Sequence, residues 1–329
     1  LPTVVVGVAF SALFAPAGLL GSLGLQESLA GIVAALVFFN YSVVVRTVGA
    51  LWSRLDPRAE DAARTLGAGR ARVLATVTLP ALAPAIASAA ALVFLFCASA
   101  FGVVLVLGGQ SYGTIETEIW YQTTQLLDLP AAAALSILQL VVVTASLMVA
   151  GATRARQERA LRLSGNPVDA PLRRGDLPAA AVTAVVVAGL LLLPMGSLAW
   201  RSLVTADGIG FAHYVALGGR TGQLTVSVWQ ALLNSVVTAV AATAIAVVLG
   251  LLVSYVLSRR PSSPRGRRFL RGVDAVFMVP LGVSAVTVGF GFLITLNRPP
   301  LDLRSSWLLI PVAQAMVALP LVVRTLLPT

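Results

Sequence analysis

The charged segment at residues 53–80 holds the side chains best suited to recognising another protein. Asp56 and Pro57 are typical of the N-cap and the first position of a helix. Glu60 and Asp61 follow, where the positive end of the helix dipole favours carboxylates. The spacing therefore predicts a helix that starts at Pro57 and presents charged side chains.

A glycine and a proline predict where this helix and the next one end. Gly67 suits the left-handed conformation that closes many helices, which gives the first helix about ten residues. A second short helix is predicted over 70–78, ending at Leu79 and Pro80, where the next apolar segment begins. Such a charged pair of helices suits the docking of a cytoplasmic partner, and the alternative is a solvated connector.

Polar side chains within apolar segments form a second group of candidates. A polar group inside a membrane needs a partner, so such residues either line a substrate path or join helices. The candidates for a substrate path are Asn40, Tyr41, Gln139 and Asn234. Two carboxylates in a loop without arginine, Glu116 and Glu118, are candidates for outer-face contacts with a binding protein or a cationic substrate, and the alternative is a solvated loop.

The residue types that are missing exclude several chemistries. All 23 basic residues are arginine, so the chain has no lysine for a phosphate-binding Walker A loop or for a Schiff base. The single cysteine, Cys97, allows no disulfide within the chain and no cysteine-rich metal site. We therefore predict no catalytic residue and no metal site in this chain.

The composition indicates an integral membrane protein. Of the 329 residues, 58% are hydrophobic and 11% are charged, and the mean hydropathy is +0.91. A soluble domain is about a quarter charged, so this chain cannot build a water-exposed surface. Its apolar stretches predict eight spans of about 20 residues each, at 1–20, 29–50, 81–107, 131–152, 178–200, 226–257, 273–296 and 306–327.

Arginine is distributed unevenly between the loops. The loops at 51–78, 153–177 and 258–271 hold 17 of the 23 arginines, whereas the loop at 108–130 has none. Positive residues stay on the cytoplasmic side, so these three loops are predicted to be cytoplasmic. The formal net charge of +10 therefore reflects topology, and binding of nucleic acid is not expected.

The chain repeats itself with an offset of 278 residues. Segments 2–51 and 280–329 share 13 identities in 50 positions without a gap. The first span matches the seventh and the second matches the eighth, which predicts two parallel repeats related by an axis along the membrane normal.

The repeat also predicts the domain organisation. It assigns 1–152 to the C-terminal part of a first half, 153–177 to a cytoplasmic linker and 178–329 to the N-terminal part of a second half. Both ends are expected to continue in a longer chain of about twelve spans in two halves.

The segment at 53–80 resembles the permease signature of ATP-binding-cassette (ABC) importers. That signature reads E-A-A, three residues, G, nine residues, I-x-L-P. The same spacing here gives Asp61-Ala62-Ala63, then Gly67, then Val77-Thr78-Leu79-Pro80, with aspartate for the glutamate and valine for the isoleucine. The resemblance implies an all-α, polytopic helical bundle of the type I ABC importer permease fold. It also implies an ATPase-coupling loop, whose residues are Glu60, Asp61, Ala62, Ala63, Gly67, Leu79 and Pro80.

The resemblance further implies partners. ATP and Mg²⁺ would bind to two separate ABC ATPase subunits, one for each half, and this chain would hold no cofactor itself. An extracytoplasmic substrate-binding protein would deliver the substrate, and the two halves would alternate between inward-open and outward-open forms in the lipid bilayer. The implied location is the bacterial cytoplasmic (inner) membrane, with multiple spans.

Two permease halves in one chain resemble the iron(III) and thiamine importers. The outer segment Leu107–Gln122 is most similar to the thiamine branch. The alternative class of protein is an ion-coupled secondary transporter. That class would need ionisable residues along its path, and the interiors of these spans contain almost none.

Overall fold

The described part of the chain is almost entirely α-helical. The computed structural model describes residues 2–109, 111–157, 174–205, 208–218, 226–259, 285–296 and 306–326, with single positions or pairs between 263 and 302. Its helices are α1 Thr3–Phe14, α2 Leu29–Trp52, α3 Pro57–Thr65, α4 Arg70–Ala98, α5 Gly102–Leu107, α6 Ile115–Thr124, α7 Leu129–Gln157, α8 Leu177–Leu203, α9 Ala212–Ala216, α10 Val228–Leu257, α11 Ala285–Thr295 and α12 Leu309–Leu326. Two short strands, β1 Val204–Thr205 and β2 Gly208–Ile209, pair antiparallel.

Five helices of the described residues are long and apolar enough to cross a membrane. They are α2, α4, α8, α10 and, within α7, Leu129–Ser146. These five correspond to the second to sixth of the eight predicted spans. The first, seventh and eighth apolar segments contain the shorter apolar helices α1, α11 and α12, and residues 274–284 of the predicted seventh span lie outside the described residues.

Two predicted spans were wrong at their C-terminal ends. Helix α1 ends at Phe14 because Ala15 precedes Pro16 and has an extended backbone, with φ −54° and ψ 152°. The span predicted at 81–107 ends at Ala98, and a separate helix, α5, follows. Helix α5 packs closely against α1 at Gly102. A Cβ atom at this position would be only 2.6 Å from Oγ1 of Thr3.

The described helices divide into two compact units, each with its own packing. One comprises Leu1–Thr117 and Val141–Leu198, and the other Glu118–Leu140 and Ala199–Thr329. In the first unit, α1, α2 and α5 form the core. Phe10 contacts Phe14 and Phe38 edge-on, with ring centroids 5.6 Å apart in both pairs.

In the second unit, α10 packs against α12 through small side chains. The buried residues of α10 recur every fourth position, at Ala242, Ala246, Gly250 and Ser254. A Cβ atom on Gly250 would lie 2.5 Å from Cγ1 of Val322. Small residues at this spacing allow two membrane helices to approach closely.

The predicted linker at 153–177 stays a prediction, because residues 158–173 lie outside the described residues. Helix α8, which follows, was assigned to the second half. Leu190, Leu191, Leu193 and Met195 of this helix pack against the core formed by α1, α2 and α5.

Candidate functional site

Helix α3 starts where the sequence predicts. The side chain of Asp56 accepts a hydrogen bond of 3.0 Å from the backbone N–H of Arg58, and Pro57 occupies the first helical position. Asp56 thus satisfies one of the N–H groups that a helix leaves unpaired at its start. The predicted helix start is confirmed.

Helix α3 ends in a left-handed glycine. Gly67 has φ +85°, its N–H donates to the carbonyl of Arg64 at 3.0 Å, and the N–H of Ala68 donates to the carbonyl of Ala63 at 3.1 Å. This pair of bonds is a Schellman motif, which satisfies the last carbonyls of a helix. No atom lies within 4 Å of the place where a Cβ would sit on Gly67, so its backbone conformation, not space, requires glycine.

The outer face of α3 is open to a partner. Asp61 and Ala62 are exposed, and Leu66 at the C-terminal end is 89% exposed. Arg64 lies 3.4 Å from Glu60 and 3.9 Å from Asp61, and such exposed ion pairs contribute little to stability. The exposed face thus combines charges with one apolar side chain.

The inner face of α3 is attached to α4. Oγ1 of Thr78 donates a hydrogen bond of 2.7 Å to Oε1 of Glu60, and Thr78 is only 3% exposed. The side chain of Glu60 is 28% exposed, against 70% for Asp61. The two adjacent carboxylates therefore differ in exposure although both lie near Arg64, and Ala63 is half-buried.

The second predicted helix does not end at Leu79 and Pro80. Helix α4 continues from Arg70 to Ala98 through a π-helical turn at Leu74–Thr78, closed by a bond from the N–H of Leu79 to the carbonyl of Leu74. The wider turn immediately precedes Pro80, which has no N–H for the helical ladder. Leu79 and Pro80 are therefore exposed residues within a membrane helix, not residues of a break before it.

The four candidates for a substrate path have different environments. Asn40 is 2% exposed, its Nδ2 donates to the carbonyl of Leu36 at 2.9 Å and lies 3.5 Å from Sγ of Cys97, and its Oδ1 has no hydrogen-bond partner among the described residues. Tyr41, the next residue, is half-buried. The Asn40–Cys97 contact joins α2 to α4, which are the helices on either side of α3.

The other two path candidates belong to the second unit. Gln139 on α7 is 4% exposed and accepts a hydrogen bond of 3.3 Å from Thr287 on α11. Asn234 on α10 is exposed. Gln139 thus joins two helices, as the alternative interpretation of these polar residues expects.

The two outer-face candidates differ in accessibility. Glu118 is exposed and accepts a hydrogen bond of 2.7 Å from Nε2 of Gln122. Glu116 is completely buried, as is Ile119 one turn further along α6. The prediction of an accessible Glu116 was therefore wrong, because residues three apart share one face of a helix and that face of α6 is buried.

The first part of the chain is similar to a known protein family. Residues 1–159 match the model of the family described as binding-protein-dependent transport system inner membrane component. This segment, just under half of the chain, is therefore similar to the permease components of ABC importers. Together with the five apolar helices, this match supports an all-α, multi-pass protein of the inner membrane.

Curated relatives of this chain are named for different substrates. The sulfate transport system permease protein of Salmonella typhimurium is 34% identical over 167 residues, which are 48% of this chain and 59% of that protein. A probable ABC transporter permease protein of Sinorhizobium fredii is 26% identical over 317 residues, 89% of this chain and 53% of that protein. The ferric transport system permease protein of Actinobacillus pleuropneumoniae is 25% identical, over 84% of this chain and 40% of that protein. The chain spans about half the length of the curated relatives it matches, and no solved structure matches it significantly.

Thr78 also belongs to this site, although it was not among the predicted site residues. Its hydroxyl fixes the inward side of α3, although it stands at the variable position of the I-x-L-P motif. Two short helices joined at Gly67 run back along each other, and this brings Glu60 and Thr78, 18 positions apart, into contact. The predicted helix–glycine–helix pattern is the signal that could have indicated Thr78.

Proposed function

We propose that the chain is the permease subunit of an ATP-driven importer, which moves its substrate across the membrane by alternating access. The observation that carries this proposal is helix α3. It is capped at both ends, exposed on one face and attached on the other face to the membrane helix α4, and it lies within the segment that matches the importer permease family. When a partner bound to such a surface helix moves, the helix can transmit the movement to the membrane helix α4.

The partner that fits this helix is an ABC ATPase subunit, in two copies, one for each of the two predicted halves. ATP and Mg²⁺ bind to these subunits, because the chain has no lysine for a Walker A loop. The docking surface on this chain is formed by Asp61, Ala62 and Leu66, and the exposed Leu66 would bury its side chain in a groove of the ATPase.

A substrate-binding protein delivers the substrate to the opposite face. Of the two candidate carboxylates, Glu118 on α6 is exposed, so such a protein can reach it. Glu116 is buried and does not belong to this surface.

Co-purification tests the docking surface. The full-length permease, expressed with its ATPase and isolated in mild detergent, should retain the ATPase. Leu66→Ala should weaken this retention, whereas the matched control Leu126→Ala, at an exposed leucine near the C-terminal end of α6, should not. Absence of the ATPase from the wild-type preparation, or equal retention by both variants, would contradict the proposal.

We infer iron(III) as the substrate. The ferric permease proteins of Actinobacillus pleuropneumoniae and Haemophilus influenzae each match 84% of this chain, whereas the sulfate permease matches 48% at higher identity. Thiamine, the other substrate suggested by the sequence, has no counterpart among these relatives. Titration of the cognate binding protein with ferric citrate, thiamine and sulfate decides among the three, and binding of thiamine or sulfate without binding of iron would refute the inference.

An ion-coupled secondary transporter is the competing class. Orthovanadate, which traps ABC ATPases, should stop uptake by the proposed importer, and a protonophore should leave uptake intact while ATP is supplied. The opposite pattern would favour ion coupling.

A further inference from the structure

We propose that the hydrogen bond between Glu60 and Thr78 is a latch that makes α3 and the cytoplasmic end of α4 move as one rigid body. In this assignment Glu60 is a positioning residue of the coupling helix, and the ATPase contacts Asp61 and its exposed neighbours instead. The inference rests on the proposed function, since it describes how the docking helix transmits force.

The latch joins two helices through a short bond that is mostly shielded from water. Thr78 Oγ1 and Glu60 Oε1 are 2.7 Å apart, and Thr78 is 3% exposed. A hydroxyl that donates to a carboxylate makes a charge-assisted bond, which is shorter and stronger than a neutral one. The second carboxylate oxygen of Glu60 faces Arg64 at 3.4 Å, so both oxygens are occupied within the chain itself.

The latch lies at a π-helical turn of α4. Thr78 is the last residue of the π-helical turn Leu74–Thr78, and such turns are rare and often occur at functional sites. Pro80 follows two residues later and cannot donate to the carbonyl of Thr76. Without a cross-link to α3, the helix could bend at this point, because the backbone hydrogen bond that Pro80 cannot donate is missing here.

The space below α3 would permit such bending. An open cavity of about 160 Å³ lies beside this hydrogen bond. It is lined by Leu55, Asp56, Ala59, Glu60, Val77, Thr78 and Ala81. Ala59 on α3 and Ala81 on α4 leave this space unfilled, so α3 has room to move there. The hydrogen bond from Thr78 is the polar link between α3 and α4 in the described residues, and removing it would free α3 to rock into this space.

Three single substitutions at two threonines test the latch. Thr78→Val keeps the shape but removes the hydroxyl, and Thr78→Ser keeps the hydroxyl. The matched control is Thr76→Val in the same π turn, because Thr76 is exposed and its hydroxyl donates to the carbonyl of Arg72 within its own helix. Glu60→Gln is a fourth variant that retains an oxygen acceptor for Thr78.

The readout is the distance between spin labels on the two helices in the assembled complex. Labels at Arg58→Cys on α3 and Ile86→Cys on α4, both exposed positions, are introduced into a Cys97→Ser background of the full-length permease with its ATPase. If the latch holds, the wild-type complex should give one narrow distribution of distances between the labels. This distribution should be the same in the nucleotide-free complex and in the complex trapped with ATP and vanadate. Thr78→Val should broaden the distribution, while Thr78→Ser and Thr76→Val should remain narrow.

Two functional measurements accompany the distances. Thr78→Val should retain the ATPase as the wild type does, yet lose about tenfold in the stimulation of ATP hydrolysis by the loaded binding protein, the size of effect expected for a lost charge-assisted bond. Glu60→Gln should retain both the ATPase and most of the stimulation.

The results that overturn the latch differ from those that overturn the proposed function. A narrow distance distribution in Thr78→Val means that the hydrogen bond does not hold α3 in place. Loss of the ATPase in Glu60→Gln alone means that Glu60 contacts the ATPase directly. Either result overturns the latch. Failure of the wild-type permease to retain any ATPase refutes the proposed function itself.

Discussion

The substitution Gly67→Ala isolates the contribution of one backbone conformation to the docking helix. Gly67 has φ +85°, and no atom lies within 4 Å of the position of a Cβ atom. Alanine would therefore meet no neighbour, and its cost is the left-handed strain of an L-residue, about 1–2 kcal/mol. That free energy corresponds to a factor of about 5–30 in the population of the closed helix end.

Two variants separate this strain from other effects. Gly69→Ala is the matched control, because Gly69 has φ −68° and likewise has no atom within 4 Å of a Cβ position. We expect it to behave as the wild type. Gly67→Asn should fall between the wild type and Gly67→Ala, because asparagine tolerates the left-handed region better than alanine.

Hydrogen exchange and ATPase affinity measure the outcome. In Gly67→Ala the amides of Gly67 and Ala68, which close the Schellman motif, should exchange about 5–30 times faster, and the ATPase should bind more weakly by up to the same factor. If Gly67→Ala and Gly69→Ala have the same exchange rates and the same ATPase affinity, the assignment of Gly67 as the conformational end of α3 is refuted.

Three further substitutions test the cap and the packing of the membrane helices. Asp56→Ala should destabilise the first turn of α3 by about 1 kcal/mol, seen as faster amide exchange at Arg58, and unchanged exchange would exclude a capping role. Gly250→Ala should lower the thermal unfolding temperature in detergent, because its Cβ would clash with Val322. The control Gly289→Ala should not lower this temperature, because the space around Gly289 is open. Equal effects of the two substitutions would contradict the close contact of α10 and α12. Asn40→Leu should leave the unfolding temperature equal or higher, because it removes a buried amide oxygen that has no partner in the described residues, and a clear fall would show that this amide stabilises the fold.

The sequence predicted the elements whose determinants are local. Asp56, Pro57 and Gly67 each act within one turn of backbone, so the start and end of α3 follow from residue type alone. The membrane helices follow from runs of apolar residues, which need no knowledge of their neighbours. The same local rule failed at Pro80, because the π turn before it lets α4 pass the proline without a break.

The side chains that turn inward could not be predicted from the same patterns. Glu60 and Asp61 are adjacent carboxylates, and only the fold-back of α4 decides that Glu60 meets Thr78 while Asp61 remains exposed. Glu116 and Glu118 differ for a similar reason, because the burial of one face of α6 is a tertiary property. The sequence pattern predicted that these carboxylates lie between the membrane spans. It did not predict which carboxylate of each pair is exposed to water.

The internal repeat makes the dependence of burial on tertiary contacts explicit. Ile32 on α2 and Ile310 on α12 are identical residues at equivalent positions, and each lies on a helix that contacts the one before it. Ile32 is 5% exposed because it belongs to the core that α5 completes, whereas Ile310 is 57% exposed and lines an apolar cavity of about 530 Å³ bordered by α11 and α12. Phe14 and its equivalent Phe292 follow the same pattern, the first in the core and the second in the wall of the cavity. Equivalence in sequence therefore predicts the same helix pair, and a residue of that pair becomes core only where a third helix covers it.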